Sequence, residues 1–169
     1  CTARITERST TPPERSARIH LAVAPTKQMD RYEWFVEKAV EIGVDRITPL
    51  MTDRTERGRL RIDRLQRVAI SAMKQSQRAW LPRIDELTTL DQLLAEEVPQ
   101  QRLFGWCEGE HTSLMKNYDN AADVVVLIGP EGDFTQDEAA MLRSAQFNAV
   151  SIGSARLRLS ADSAAGIAV

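Results

Sequence analysis

The stretch Val124-Val-Val-Leu-Ile128, followed at once by Gly129-Pro-Glu-Gly-Asp-Phe134, constrains this chain more than any other. Five consecutive branched aliphatics are what a strand buried on both faces requires, and such strands belong to parallel sheets covered by helices on either side. Thr135-Gln-Asp-Glu138 then has the form of a capping box, with Thr135 at the N-cap and Glu138 reaching back to it, so a helix starts directly after the glycine loop. A loop at the carboxyl end of a parallel strand is where open α/β sheets bind ligands.

The rest of the chain alternates in the same way. Ile19, Leu21 and Val23 interleave with Arg18, His20 and Ala22, which predicts a strand with His20 on its outer face. Tyr32, Phe35, Val36, Ala39 and Val40 fall at helical spacing, and Gly43 is placed to end that helix in a left-handed conformation. A short strand over 44–50 follows. Leu65, Val68, Ala69, Ala72 and Met73 mark a second helix that stops before Pro82. A weaker helix is expected around Leu90, Leu93 and Leu94, strands at 103–107 and 149–152, and a last helix over 160–169. Strands alternating with helices predict an α/β fold with a mainly parallel sheet.

At the start, Glu7-Arg-Ser-Thr-Thr-Pro-Pro-Glu-Arg-Ser16 reads as a polar linker. The chain does not open on methionine, and residues 1–5 read as a strand already under way, so an N-terminal piece is expected to precede it. The 169 residues suit one domain. A formal charge of -2 announces no polyanionic partner, although it leaves room for an enzyme with a local basic patch. Cys1 and Cys107 form neither a disulfide framework nor a metal cluster, and they read as reduced thiols of a cytoplasmic protein. No apolar run reaches the roughly 20 residues of a membrane span.

Chemistry is expected at three glycine turns. Gly129 and Gly132 remove side chains so that backbone groups can reach a ligand, and Glu131 adds a carboxylate; a tight strand–helix turn that needs glycine for its geometry explains the same residues. Ile152-Gly-Ser-Ala-Arg-Leu-Arg158 is a second such turn, and Gly105 a third. Phosphate-loop and dinucleotide patterns are absent, as are Ser/His/Asp and Cys/His arrangements, and His111 sits in a polar stretch. Arg54, Arg57, Arg59, Arg61 and Arg64 flank the loop after Leu50, while Lys74, Gln75 and Arg78 end the second helix beside Trp80. Arginine beside an aromatic suits phosphate and base contacts, but the interleaved Asp53, Glu56 and Asp63 equally suit a solvated face.

Four segments, in order, resemble the 16S rRNA uridine-N3 methyltransferase family of the SPOUT superfamily. They are Lys38-Ala-Val-Glu-Ile-Gly-Val-Asp-Arg-Ile-Thr-Pro49, Thr52-Asp-Arg-Thr-Glu-Arg57, Met73-Lys-Gln-Ser-Gln-Arg78 with Leu81-Pro82, and Ile128-Gly-Pro-Glu-Gly-Asp-Phe134 with Glu138. The likeness covers nearly the whole chain after residue 17. It implies a deep C-terminal trefoil knot in the parallel sheet, S-adenosyl-L-methionine held there, a homodimer, and 16S rRNA or the small ribosomal subunit as partner. Residues 1–17 would be the remnant of an N-terminal PUA-like barrel and linker, and 18–169 the methyltransferase domain.

The cofactor residues so implied are Phe104, Gly105, Ile128, Gly129, Pro130, Glu131, Gly132, Ile152, Gly153 and Leu157. Arg54, Arg57, Lys74, Gln75 and Arg78 would bind RNA. Arg156, Arg158 and Glu131 are the candidates for catalysis, and no metal is expected. The sequence departs from the family twice: Asp133 stands where a second glycine is usual, and the segment after Arg158 matches only loosely. Another SPOUT enzyme acting on tRNA or a ribose hydroxyl, and a non-catalytic RNA-binding or ribosome-assembly factor, are the alternatives.

Overall fold

Strand β1 (Ile19–Val23) is the spine of the sheet, parallel to β2 (Arg46–Met51) on one side and to β6 (Val124–Ile128) on the other. The computed structural model describes residues 4, 6–7, 16–56 and 58–152. Beyond β6 lie β5 (Gln101–Gly105) and then β7 (Asn148–Val150), again parallel. At the other edge, β2 pairs first with β3 (Arg83–Ile84) and further along with β4 (Thr88–Thr89). Pro49, which has no N–H to give, lies between the β2 residues that pair β3 and those that pair β4, so its missing donor interrupts neither ladder.

Two helix layers cover the sheet. Helices α1 (Met29–Ile42) and α2 (Ile62–Gln75) pack on one face, and α3 (Leu90–Ala95) and α5 (Gln136–Ser144) on the other. The pleat divides β6 between them: Val124, Val126 and Ile128 join the α1/α2 core, Val125 and Leu127 the opposite one. All five are buried, as the unbroken aliphatic run requires, and each contributes about 1.5–3 kcal/mol of transfer free energy. The predicted stripe of α1 is the buried one, residue for residue, and Gly43 caps the helix at φ 93°. The Thr135/Glu138 capping box of α5 is formed with both of its reciprocal bonds.

Several boundaries differ from expectation. Helix α2 does stop before Pro82, as expected; it ends at Gln75, where Ser76 turns its hydroxyl back onto the Ala72 carbonyl at 2.7 Å, and Arg78 lies beyond it. Strand β5 starts at Gln101, and β7 ends at Val150 rather than at residue 152. The short strands β3 and β4 and the single turn α4 (Leu114–Asn117) carry too few residues for a period to show. A second capping box, Thr89 with Gln92, starts α3. The helix expected over 160–169 lies outside the described residues.

His20 is not on an outer face. It is 5% exposed, because the side of β1 it occupies is covered as fully as the other. Its Nε2 lies 2.7 Å from Thr48 Oγ1, and that hydroxyl donates to Asp85 Oδ2 at 2.5 Å, so the hydroxyl hydrogen is committed and His20 Nε2 is the donor. Arg46 Nε also donates to Asp85 Oδ2 at 2.6 Å, while Arg83 Nε makes an ion pair with Oδ1 at 2.6 Å without a directed hydrogen bond. Burial, then the Arg46 charge, pushes the His20 pKa down to about 4, so the imidazole is neutral near pH 7. Burial pulls the Asp85 carboxyl up, but the Thr48 and Arg46 hydrogen bonds and the arginine charges together hold it below its ordinary value.

Candidate functional site

The carboxyl ends of β1, β6, β5 and β7 are neighbours, and the loops that leave them form one rim of the sheet. Ile128, Gly129 and Pro130 are buried, while Glu131 and Gly132 are exposed at its crest. Asp133 N–H donates to the Pro130 carbonyl at 3.0 Å and closes the turn. Gly132 has φ 112° and Asp133 φ 66°, both left-handed. A Cβ at Gly129 would come within 3.1 Å of the Phe134 backbone nitrogen and ring, so glycine here admits the Phe134 side chain beneath the loop. Phe134 packs edge-on against Phe104, with ring centroids 6.0 Å apart. Both glycines therefore meet geometric demands of the turn itself, and at Gly132 Arg54 Cδ, at 3.9 Å, is the only atom of the described residues within 4 Å of the absent Cβ.

The neighbouring loops are tied to this turn by polar contacts. Asp133 Oδ2 accepts from the Cys107 backbone N–H at 2.8 Å, and Oδ1 from the Phe134 N–H at 2.8 Å. Glu138, 6% exposed, accepts from Thr135 N–H through Oε2 at 2.8 Å and from Asp53 N–H through Oε1 at 2.9 Å. Arg54 Nη1 donates to the carbonyl oxygens of Gly132 and Phe134, the second at 3.3 Å. On the same rim, Lys27 and Glu56 pair at 2.9 Å beside a cavity of about 530 Å³ lined by Lys27, Glu56, Gly58 and Arg59. The Glu56 hydrogen bond, with Glu131 adding to the field, raises the Lys27 pKa.

At the far side, Trp106 N–H donates to Val150 O at 3.2 Å, Leu114 N–H to Ser151 O at 2.8 Å, and Ser151 N–H to Thr112 O at 3.1 Å. These bonds weave the exit of β7 into the segment after β5, with Gly105 buried between them and Ile152 packed on the first core. The Phe104 side chain is wholly buried in the second core, and its backbone lies between Leu127 of β6 and Ala149 of β7. Gly153, Arg156, Leu157 and Arg158 lie outside the described residues, as does Arg57. Among the described residues, no three His, Cys, Asp or Glu side chains converge to hold a metal, and no helix is long and apolar enough to cross a membrane.

The basic residues do not form one surface. Arg54 follows β2 at the rim, whereas Lys74, Gln75 and Arg78 end α2 at the opposite edge of the sheet. Arg78 Nε donates to Glu41 O in the last turn of α1 at 2.6 Å, just before β2 begins. Its guanidinium occupies the space a side chain at Gly43 would need, with Nη1 2.5 Å from the ideal Cβ position. A six-residue strand separates the two groups by about 20 Å. Sequence reasoning did not pick out Lys27 or the Cys107 and Asp53 amides, since neither a lysine after a strand nor a backbone N–H leaves a pattern. Glu138 was legible as a cap and as part of the fourth family-like segment, but not as a partner of Asp53.

Loops gathered at the carboxyl edge of a sheet that is parallel throughout the described residues define an α/β ligand-binding domain. Which one is told by comparison: the profile of the family described as "RNA methyltransferase domain" matches residues 13–169, and the chain belongs to that family. Ribosomal RNA small subunit methyltransferase E of Rickettsia conorii is 30% identical over 149 residues, 86% of this chain and 61% of the relative. A probable rRNA-methyltransferase from Porphyromonas gingivalis is 38% identical with a TM-score of 0.85, over 94% of this chain and 68% of that one. Ribosomal RNA small subunit methyltransferase E from Neisseria gonorrhoeae, bound to S-adenosyl methionine, is 28% identical with a TM-score of 0.81, over 95% and 68%. The chain spans 48–65% of the length of the curated relatives it matches.

Proposed function

We propose that the chain methylates N3 of a uridine in 16S rRNA, with S-adenosyl-L-methionine as methyl donor. The observation that carries this reading is the convergence of the loops at Gly105, Ile128–Gly132 and Val150–Ile152 on one rim, in a family whose Neisseria relative is bound to that cofactor. The residues fit such a group: the crest of the turn at Glu131 and Gly132 is exposed, and among the described residues Arg54 Cδ alone stands within 4 Å of the face that Gly132 leaves bare. Backbone groups of Phe104, Gly105, Ile128, Gly129, Pro130, Glu131 and Gly132 would hold it, with Ile152, Gly153 and Leu157 opposite.

When bound, S-adenosylmethionine supplies a methyl group on a positively charged sulfur. The chain's own task is to align uridine N3 with it and to deal with the N3 proton, which uridine keeps at neutral pH. Glu131, exposed at the crest, is suited to take that proton, and Arg156 and Arg158 to stabilise the resulting anion. Arg54 and Arg57 would meet RNA at the rim, while Lys74, Gln75 and Arg78 would serve a second stretch of backbone at the other edge. The same reading includes the C-terminal trefoil knot, a homodimer with two-fold symmetry and action in the cytoplasm.

Nucleoside mass spectrometry tests the proposal. Small ribosomal subunits from cells lacking the gene, incubated with the protein and S-adenosylmethionine, should gain 3-methyluridine in 16S rRNA. A methylated ribose, or product only on tRNA, would assign the chain to another reaction of the same family.

A further inference from the structure

We infer that Asp133 is a positioning residue for the cofactor, acting through its carboxylate, which fastens the turn after β6 to the loop after β5. The inference rests on the functional reading above and adds a residue to it. Asp133 has φ 66°, a conformation in which glycine would be unstrained. A side chain kept at such a position has to offset that strain, and here it does so with two bonds. Oδ2 accepts from Cys107 N–H and Oδ1 from Phe134 N–H, each at 2.8 Å. Carboxylate acceptors make the stronger class of hydrogen bond, and both donors are backbone groups whose positions follow the loops.

The geometry gives these bonds a purpose beyond the turn. Pro130 O already holds Asp133 N–H at 3.0 Å, so the turn closes without the side chain. What the carboxylate adds is the link to Cys107, 26 residues away on the neighbouring strand's loop. The segment from Gly105 to Cys107 and the segment from Ile128 to Gly132 leave adjacent strands and are the two neighbouring stretches of backbone proposed to hold the cofactor. Asp133 sets their separation before the ligand arrives, and so reduces the ordering that binding would otherwise cost.

Calorimetry of the full chain with S-adenosylhomocysteine, on Asp133→Gly, Asp133→Asn and the parent, separates the carboxylate from the backbone. Asp133→Gly relieves the left-handed strain but removes the link. Its thermal midpoint should stay close to the parent's, because the strain relieved offsets the bonds lost, while it binds S-adenosylhomocysteine about tenfold more weakly. Asparagine tolerates the same φ and keeps one acceptor oxygen, so Asp133→Asn should recover part of the affinity. Amide hydrogen exchange at Cys107 should quicken in Asp133→Gly and less so in Asp133→Asn. A glycine variant that binds as tightly as the parent overturns the assignment of Asp133 alone. A parent that gives no heat overturns the cofactor reading itself, and this assignment with it.

Discussion

The Oε1 oxygen of Glu138 accepts a hydrogen bond from the backbone N–H of Asp53 at 2.9 Å, across 85 residues of chain. The same side chain caps α5 through Oε2, so one buried carboxylate starts a helix and holds the loop after β2 against the turn after β6. Replacing Glu138 by Ala should therefore cost more than a cap, about 2 kcal/mol when the lost cap and the stranded Asp53 amide are added. Glu138→Gln keeps an acceptor for Asp53 and should lose less. Urea unfolding of the three proteins, with equal m-values, checks the order.

Arg54 and Arg78 should behave differently although both are arginines that donate to backbone carbonyls. Arg54→Ala removes donors to Gly132 O and Phe134 O, so it should weaken S-adenosylhomocysteine binding as well as RNA binding. Arg78→Ala strands the Glu41 carbonyl and empties the space over Gly43, so it should lower stability by about 1 kcal/mol and leave cofactor affinity unchanged. Calorimetry and thermal melts on both variants decide the matter; RNA titrations at several salt concentrations then show which of the two flattens the salt dependence.

Gly129→Ala should disturb the turn from within. The added methyl carbon would stand 3.1 Å from the Phe134 backbone nitrogen and ring, and the backbone cannot retreat cheaply. A loss of about 1–3 kcal/mol is expected from such overpacking, with weaker S-adenosylhomocysteine binding because Phe134 is displaced. A variant with the parent's melting temperature and affinity would mean that the loop has more room than its geometry indicates.

Acid should destabilise the fold through His20. Its folded pKa of about 4 lies below the ordinary 6.5, so between these values the unfolded chain binds the extra proton. Stability is then complete above pH 6.5 and falls as pH drops toward 4, by on the order of 3 kcal/mol. Asp85, held low, adds a further loss once the pH falls below the ordinary carboxylate range. Urea midpoints for the parent and for His20→Gln from pH 7 to pH 4 should converge as the parent loses this contribution. Parallel curves for the two proteins would show that His20 is not the group that titrates.

What the sequence by itself determined is the set of features decided by near neighbours along the chain. The stripe from Tyr32 to Val40, the left-handed stop at Gly43, the buried run Val124–Ile128 and the Thr135/Glu138 box are each satisfied within one turn or one strand, so their patterns survive without knowledge of the fold. Tertiary structure alone decided the rest. His20 lost its outer face because a parallel sheet is covered on both sides. Arg54 and Arg78 were divided by the length of β2, since a helix that crosses over between parallel strands returns to the starting edge. The links from Asp133 to Cys107 and from Glu138 to Asp53 exist because strand order brings β5 beside β6 and folds the β2 loop over α5. Such contacts join a side chain to a backbone N–H that every non-proline residue carries, so no pattern of residue types could have announced them.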